Sequence, residues 1–414
     1  MKKILFVINT MGRAGAERAL LGLLRRLEGR PYAVSLYVLL AQGELAGELP
    51  PGVRLLNPEY SAQDVLSGRG RRQLVKTVCK AFFRNGGCIR KARGIAGNLA
   101  NQLKNGRVQP DKLLWRVVAD GALRFEEHFD LAVAWMEGGS AYYTADWVQA
   151  SRKAAFIHVD YGKAGYTKAL DQGCWARFDR IFAVSEDCRS AFLQAYPELR
   201  SRTGVFQNIV SQEEIRRRSR EPGGFSDGYQ GLRLLTVGRL AYQKGYDIAI
   251  DAMKLLKDAG YRARWYVLGE GSERRRLEKQ IARLGLQEDF VLLGAVENPY
   301  PYYVQADLYV HAVRFEGQGI AVWEAQTLGC PVIVSDYCGS SGQIEGGVYG
   351  VPCELTPAGV AEAIRSLLDD AEKRETLARR AAGKETPQGQ EEQLFALLED
   401  PAPLREMAGA ATHG

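Results

Sequence analysis

Two carboxylates, Glu316 and Glu324, stand eight positions apart in Phe315-Glu316-Gly317-Gln318-Gly319-Ile320-Ala321-Val322-Trp323-Glu324. Glycines break the chain after the first, and a helical pattern starts at Ile320. The spacing puts Glu316 in a loop and Glu324 about one turn inside the helix. Backbone N–H groups near Gln318–Ile320 then suit a phosphate, and the carboxylates beside them can accept hydrogen bonds from sugar hydroxyls. A second group lies in Val237-Gly238-Arg239-Leu240-Ala241-Tyr242-Gln243-Lys244-Gly245. There a strand ends at Gly238, and Arg239 and Lys244 follow in the loop. Cations at the carboxyl end of a parallel strand stand where doubly wound folds bind ligands. Together they suit a diphosphate, arginine through its planar fork and lysine as a point charge. A third group, Thr10-Met11-Gly12-Arg13-Ala14-Gly15-Ala16-Glu17, joins a strand to a helix. Glycine at Gly12 or Gly15 lets backbone approach a ligand, but the Gly-x-Gly-x-x-Gly spacing and the P-loop lysine are both missing. Each group also has a plain structural reading: two solvated loop cations, an acid favouring a helix dipole beside a solvated glutamate, and a tight turn.

The elements that must position these groups alternate. Ile4–Ile8 reads as a strand and Ala16–Leu27 as a helix with Leu20, Leu21, Leu24 and Leu27 on one face. Val34–Leu40, Val53–Leu56, Leu131–Trp135, Ala154–His158 and Ile181–Ser185 read as further strands. A Pro/Gly-rich break covers about Arg217–Gly231. The alternation then restarts with strands at Leu232–Val237, Ala263–Leu268, Phe290–Leu292, Leu308–His311 and Pro331–Ser335. Helices fall at Tyr246–Ala259, Gly271–Leu284, Tyr302–Gln305, Ile320–Leu328 and Pro357–Asp369. Strand–helix alternation of this kind means parallel sheets covered on both faces. At about 150 residues per domain, the 414 residues suit two or three domains.

The composition, 46% hydrophobic and 25% charged, excludes a disordered chain, a coiled coil and a collagen. No apolar run approaches the roughly 20 residues of a membrane span, and the start reads as a strand rather than a signal peptide. The seven cysteines contain no Cys-x-x-Cys pair, and no metal-ligand spacing links them to a histidine. The expectation is reduced thiols, no bound metal and a cytoplasmic protein. Charge is uneven. Residues 65–118 hold 13 Lys/Arg and one acid, a net +12, whereas the other 42 basic and 48 acidic residues net −6. Within that insert Leu74, Val75, Val78, Cys79, Phe82 and Phe83 recur at helical spacing beside Arg72, Lys76, Lys80 and Arg84. A basic amphipathic helix over Leu74–Arg84 suits an anionic membrane surface or an anionic acceptor. Nucleic acid asks only for clustered cations, and a core-packed helix with a solvated face needs no partner.

The chain resembles the retaining family 4 glycosyltransferases of the GT-B fold (glycosyl transferases group 1). The matching residues are Gly12–Glu17 running on to Arg18, Gly238-Arg239-Leu240 with Lys244-Gly245, Leu268-Gly269-Glu270-Gly271, and Glu316 to Glu324 with seven residues between. Gly329-Cys330-Pro331-Val332-Ile333 followed by Ser335-Asp336 also matches. The second half is covered almost throughout, the first half at its start and around His158 and Asn208. The resemblance implies an α/β architecture of two Rossmann-like domains facing each other across a cleft. An N-terminal acceptor domain takes 1–217 with the basic insert at about 65–118, a linker 218–231, a nucleotide-sugar domain 232–385 and a tail 386–414. By the same resemblance Arg239 and Lys244 hold the donor diphosphate, with Gly238 before them. Glu316 contacts hydroxyls of the transferred sugar, Glu324 the ribose, and the Gly317, Gln318, Gly319 and Ile320 backbone the sugar and phosphate. Gly15 allows close approach from the opposing domain. His158, which by itself reads more often as a satisfied core residue, reaches the donor sugar near the reacting carbon. Three departures stand out. Gln318 occupies a position often bulky and apolar, Cys338–Glu345 follows the pattern loosely, and the C-terminal end lacks the aromatic-rich helix that crosses back to the first domain.

The expected function is retaining transfer of a hexose or N-acetylhexosamine from a nucleotide sugar, a UDP-sugar before others. The acceptor is a membrane-associated glycan or lipid-linked acceptor in polysaccharide biosynthesis, with the enzyme peripheral on the inner face of the membrane. No Asp-x-Asp occurs, so the leaving group's charge falls to Arg239, Lys244 and a helix N-terminus rather than to a metal ion. No cofactor and no nucleic-acid partner is expected. A GT-B-fold sugar-nucleotide epimerase is the rival enzyme and would act on donor alone. A polyanion- or membrane-binding adaptor is the non-enzymatic rival and would show no nucleotide-sugar affinity.

Overall fold

The computed structural model describes residues 1–65, 67–86, 88–104, 110–337, 339–385 and 388–399. Cys338, most of the expected tail, and parts of the basic insert lie outside them.

The N-terminal half runs β1 (Lys2–Ile8), α1 (Gly15–Arg26), β2 (Tyr32–Val38), β3 (Val53–Leu55), α2 (Gly68–Phe83), α3 (Cys88–Lys104), α4 (Pro110–Asp120), β4 (Phe129–Ala134), α5 (Gly139–Trp147), β5 (Ala150–Ile157), α6 (Lys168–Asp171), β6 (Arg180–Ala183), α7 (Glu186–Ala195), β7 (Thr203–Val205) and α8 (Gln212–Arg218). The C-terminal half runs β8 (Leu232–Val237), α9 (Tyr246–Asp258), β9 (Ala263–Leu268), α10 (Arg274–Arg283), β10 (Phe290–Gly294), α11 (Tyr300–Gln305), β11 (Leu308–His311), α12 (Ile320–Thr327), β12 (Val332–Ser335), α13 (Ser340–Ile344), β13 (Val351–Cys353), α14 (Pro357–Leu368), α15 (Ala371–Ala382) and α16 (Glu392–Glu399). The amphipathic stripes explain the helices: α1 buries Leu20, Leu21, Leu23 and Leu24. Several strands carry a continuous buried apolar run, such as Ile4–Ile8 in β1 and Ala154–Ile157 in β5, because both faces of each sheet are covered.

Each half forms one parallel sheet. The orders are β3-β2-β1-β4-β5-β6-β7 and β10-β9-β8-β11-β12-β13. In both, strand order reverses beside the first strand, between β1 and β4 and between β8 and β11. Doubly wound sheets bind ligands outside the carboxyl ends of strands at that reversal. The loops leaving β1, β4 and β5 in one sheet and β8 and β11 in the other therefore stand at or beside that reversal.

Two expectations about organisation change. The chain crosses between domains just after β7, since Val210 and Ile215 already pack in the C-terminal core with Tyr300 and Val322. The turn-rich stretch 218–231, expected as the linker, lies along the C-terminal domain instead. Phe225 packs on Tyr266 and Tyr302, and Asp227 accepts hydrogen bonds from Arg264 and Tyr266. The second change concerns the tail. α16 crosses back onto the N-terminal domain and buries Leu394, Phe395 and Leu398 in the core under β1 and β2. Phe395 stacks on Tyr32 with ring centroids 5.2 Å apart. Eight residues carrying three leucines and one aromatic make too short an apolar pattern to stand out in sequence, which is why the closing helix was not expected.

Candidate functional site

The glutamate pair is built by the loop after β11. Glu316 sits in that loop, and Gly319, with φ +63°, starts α12, so Glu324 lies inside the helix as its spacing requires. Arg239 and Lys244 come from the loop after β8, the strand beside β11. Gly245, with φ +62°, ties that loop down: a Cβ there would lie 2.3 Å from the Ala312 carbonyl oxygen. The consequence is an ion pair between Lys244 Nζ and Glu316, residues 72 positions apart. His311 Nε2 stands 3.8 Å from Glu316 Oε2, and His311 Nδ1 meets the Tyr309 hydroxyl at 3.1 Å. Burial acts to raise the Glu316 pKa, but the Lys244 ammonium outweighs it and holds the carboxyl below its usual range.

Arg239 is exposed at the cleft. Its charge acts on Glu17, in the first turn of α1, whose carboxyl burial pushes up and Arg239 partly restrains. Glu17 Oε1 accepts from Thr10 at 3.2 Å, while Oε2 is buried without a hydrogen-bond partner among the described residues.

The two domains meet at Gly15, as expected, and also at Gly317, whose backbone was expected to meet the donor sugar and phosphate. A Cβ on Gly15 would stand 3.4 Å from Ile320 Cδ1, and one on Gly317 would lie 1.9 Å from the His158 carbonyl oxygen. The Gly317 carbonyl accepts from Ser185 Oγ at 3.4 Å, and the Gly339 N–H donates to Asp187 at 2.8 Å. Gln318 Oε1 accepts from the Asn208 N–H at 2.7 Å. A Cβ on Gly12 would meet Val65 at 2.9 Å, and one on Gly238 would meet Tyr246 and Lys244 at 3.3 and 3.4 Å.

Glu324 is buried, with Tyr300 and Tyr303 hydroxyls each donating to it at 3.1 Å. Arg18 of α1 reaches it from the other domain, Nη1 to Oε1 3.6 Å. Burial raises the Glu324 pKa against the pull of Arg18. His158, just past β5, packs against Trp135 and Phe156, and its Nε2 is buried without a partner among the described residues. Its backbone N–H donates to Glu137 at 2.9 Å, a buried carboxyl whose pKa burial raises.

Buried polar atoms are normally paired. Around the Gly317–Gln318 turn, His158 Nε2, Asn208 Oδ1 and Gln318 Nε2 are not, among the described residues. Two nitrogens and one oxygen held by two domains can serve a ring carrying several hydroxyls. His311, Arg18, Glu137, Tyr300 and Tyr303 were not singled out as site residues from sequence. Arg18 carried a signal, as the end of the Gly-Ala-Glu-Arg match. The others carried none, being single residues whose role comes from what surrounds them.

Both buried histidines are held neutral. Burial pushes His158 and His311 down to about 3, with Lys244 adding to the effect on His311. The unfolded chain titrates near 6.5, so between the two values it binds more protons than the folded one. Stability is then unpenalised above about pH 6.5 and falls on acidification, by up to about 1.4 kcal/mol per pH unit for each histidine. Urea unfolding at pH 7 and pH 5 measures this. The expected outcome is a lower midpoint at pH 5 and a smaller pH difference in His158→Gln/His311→Gln. An unchanged difference in the double variant means the histidines are not its source.

Comparison with known proteins bears out the resemblance over the second domain: residues 228–384 match the family model for glycosyl transferases group 1. The alpha-D-kanosaminyltransferase of Streptomyces kanamyceticus is 35% identical over 153 residues, 36% of this chain and 39% of that protein. The N-acetylgalactosamine-N,N'-diacetylbacillosaminyl-diphospho-undecaprenol 4-alpha-N-acetylgalactosaminyltransferase of Campylobacter jejuni is 26% identical over 179 residues, 43% of this chain and 47% of that protein. The chain thus spans less than half the length of these curated relatives. Over the whole chain, Anabaena HepE in complex with UDP-glucose superposes with TM-score 0.65 at 17% identity, covering 96% of this chain and 98% of the other. The fold is accordingly that of GT-B glycosyltransferases, two Rossmann-like domains across a cleft.

Proposed function

We propose that this chain is a nucleotide-sugar-dependent glycosyltransferase. It moves a hexose or N-acetylhexosamine, from a UDP-sugar before others, to a membrane-associated glycan or lipid-linked acceptor, with retention of configuration. The observation that carries the reading is the meeting of the Lys244–Glu316 pair, exposed Arg239 and the unpaired His158, Asn208 and Gln318 atoms between the two domains. Relatives add support: one is named for transfer to a diphospho-undecaprenol-linked sugar, and one structural neighbour holds UDP-glucose.

In the free protein Lys244 and Glu316 compensate each other's charge, which a half-buried site requires. An arriving diphosphate competes for Lys244 and recruits Arg239. Glu316 is then released to accept hydrogen bonds from the sugar's hydroxyls. The α12 N-terminus adds a fixed positive potential, and together these preorganised charges meet the departing nucleoside diphosphate without a metal ion. His158 is neutral near pH 7 and can donate or accept at the sugar without adding charge. The Gly317–His158 contact closes the site against water, limiting donor hydrolysis. Enzyme and acceptor meet at the inner face of the membrane.

A thermal-shift screen tests the reading first, since a ligand that binds only the folded state stabilises it by RT ln(1 + [L]/Kd). At one hundred times Kd that is about 2.7 kcal/mol. UDP and UDP-sugars raise the unfolding temperature without added metal. No response to any nucleoside diphosphate or its sugars contradicts the proposal.

A further inference from the structure

Among its described side chains, helix α3 is turned inside out. Its polar Lys91, Asn98 and Gln102 are buried at 4%, 7% and 7% exposure, whereas Ile89 and Leu103 are exposed at 74% and 61%. Ala92, Ala96 and Leu99 are exposed too, so an apolar row runs 89-92-96-99-103 along the outer face. A surface helix of a water-soluble domain shows the opposite arrangement.

The inversion is anchored. Lys91 Nζ donates to the carbonyls of Ala81, Phe82 and Arg84 at 2.9, 3.2 and 2.7 Å, filling the C-terminal end of α2 and clamping α3 beside it. Helix α2 packs inward through Leu74, Val78 and Ala81. Its exposed side carries two parallel rows, Val75-Cys79-Phe83 and Arg72-Lys76-Lys80-Arg84. Helical spacing groups Leu74, Val75, Val78, Cys79, Phe82 and Phe83 on one apolar face, and tertiary packing divides it. Of the eleven exposed large apolar side chains among the described residues, five (Val75, Phe83, Ile89, Leu99 and Leu103) stand on these two helices.

We propose that the α2–α3 face docks on an anionic lipid surface, with the apolar rows entering the headgroup–acyl boundary and the cationic row meeting the headgroups. The proposal rests on the reading of the chain as a transferase with a membrane-held acceptor, and it names the surface that reaches the membrane. Charge decides between lipid and a second copy of the chain. Residues 65–118 carry a net +12, so two such faces brought together repel, whereas an anionic leaflet attracts them. Exposed apolar residues beside Lys/Arg on one helical face are the composition of an interfacial helix. Position agrees as well. Val65, three residues before α2, lies against Gly12 of the cleft, so an acceptor anchored in the docked bilayer arrives at the acceptor side of the site.

The test is flotation of the full chain with vesicles of phosphatidylglycerol and phosphatidylcholine, against vesicles of phosphatidylcholine alone. The expected result is at least tenfold stronger binding to the anionic vesicles. Val75→Ser/Phe83→Ser/Ile89→Ser/Leu103→Ser weakens that binding at least tenfold at low salt, and Arg72→Glu/Lys76→Glu removes the anionic preference. Donor hydrolysis in solution stays unchanged in both variants. Equal binding to the two vesicle types, or parental binding by the serine variant, overturns the proposal. So does a parental dimer, seen by light scattering, that the serine substitutions dissociate. Donor hydrolysis without vesicle binding removes this surface and leaves the transferase reading intact. Vesicle binding without nucleotide-sugar affinity does the reverse.

Discussion

Lys244→Ala lowers donor turnover about 10²- to 10³-fold, the loss expected when one preorganised charge is taken from a developing anion. The readout is release of nucleoside diphosphate from donor in the absence of acceptor. The substitution has a second effect, because Lys244 is the ion-pair partner of Glu316. Alanine leaves that carboxylate beside a neutral His311 with burial unopposed, and its pKa rises. Removing one member of a buried pair costs more stability than removing both. Lys244→Ala/Glu316→Gln therefore regains stability over Lys244→Ala without regaining turnover. Thermal unfolding separates the two effects. Near-parental turnover in Lys244→Ala contradicts the diphosphate role, and near-parental turnover in Glu316→Ala contradicts the sugar-hydroxyl role.

Gly317→Ala has the second-largest effect, and it acts through geometry rather than charge. The added Cβ would lie 1.9 Å from the His158 carbonyl oxygen and 2.7 Å from its carbonyl carbon. Both are backbone atoms at the exit of a central strand, so neither can turn aside and the domains must separate. A misplacement of about 1 Å between reacting groups is worth roughly 10²-fold in rate. Turnover falls by about that factor, while the thermal shift given by UDP, which the proposed function places on the C-terminal domain, stays near that of the parent. Gly12→Ala is the contrast. Its Cβ would meet the tip of the Val65 side chain at 2.9 Å, and a methyl group can yield. Equal losses in the two variants would mean that the Gly317 contact is not what aligns the domains.

Much of this architecture was legible before any coordinates. Strands Leu232–Val237, Ala263–Leu268 and Leu308–His311 have the bounds their apolar runs indicated. Two-sided burial makes such strands continuous apolar blocks. Glu316 in a loop and Glu324 within α12 followed from two glycines and one helical pattern. α3, α5 and α16 were not legible, for different reasons. α5 is buried all round from Gly139 to Ala145, so it lacks a polar face, and α16 is short. α3 shows its apolar side to solvent, which inverts the signal that amphipathic patterning relies on.

The sequence by itself determined the alternation of strand and helix, the glycine-bounded loops, and the side-chain types on those loops, because each is encoded within a few consecutive residues. Tertiary structure alone decided that Lys244 meets Glu316, that Arg18 crosses to Glu324, and that Gly317 lies under His158. Those relations depend on β8 and β11 being neighbours where strand order reverses, and on how closely one sheet's loops approach the other's. Which face of α2 and α3 points outward was likewise settled by Lys91, whose ammonium fills the end of α2 and leaves the apolar side of α3 on the surface.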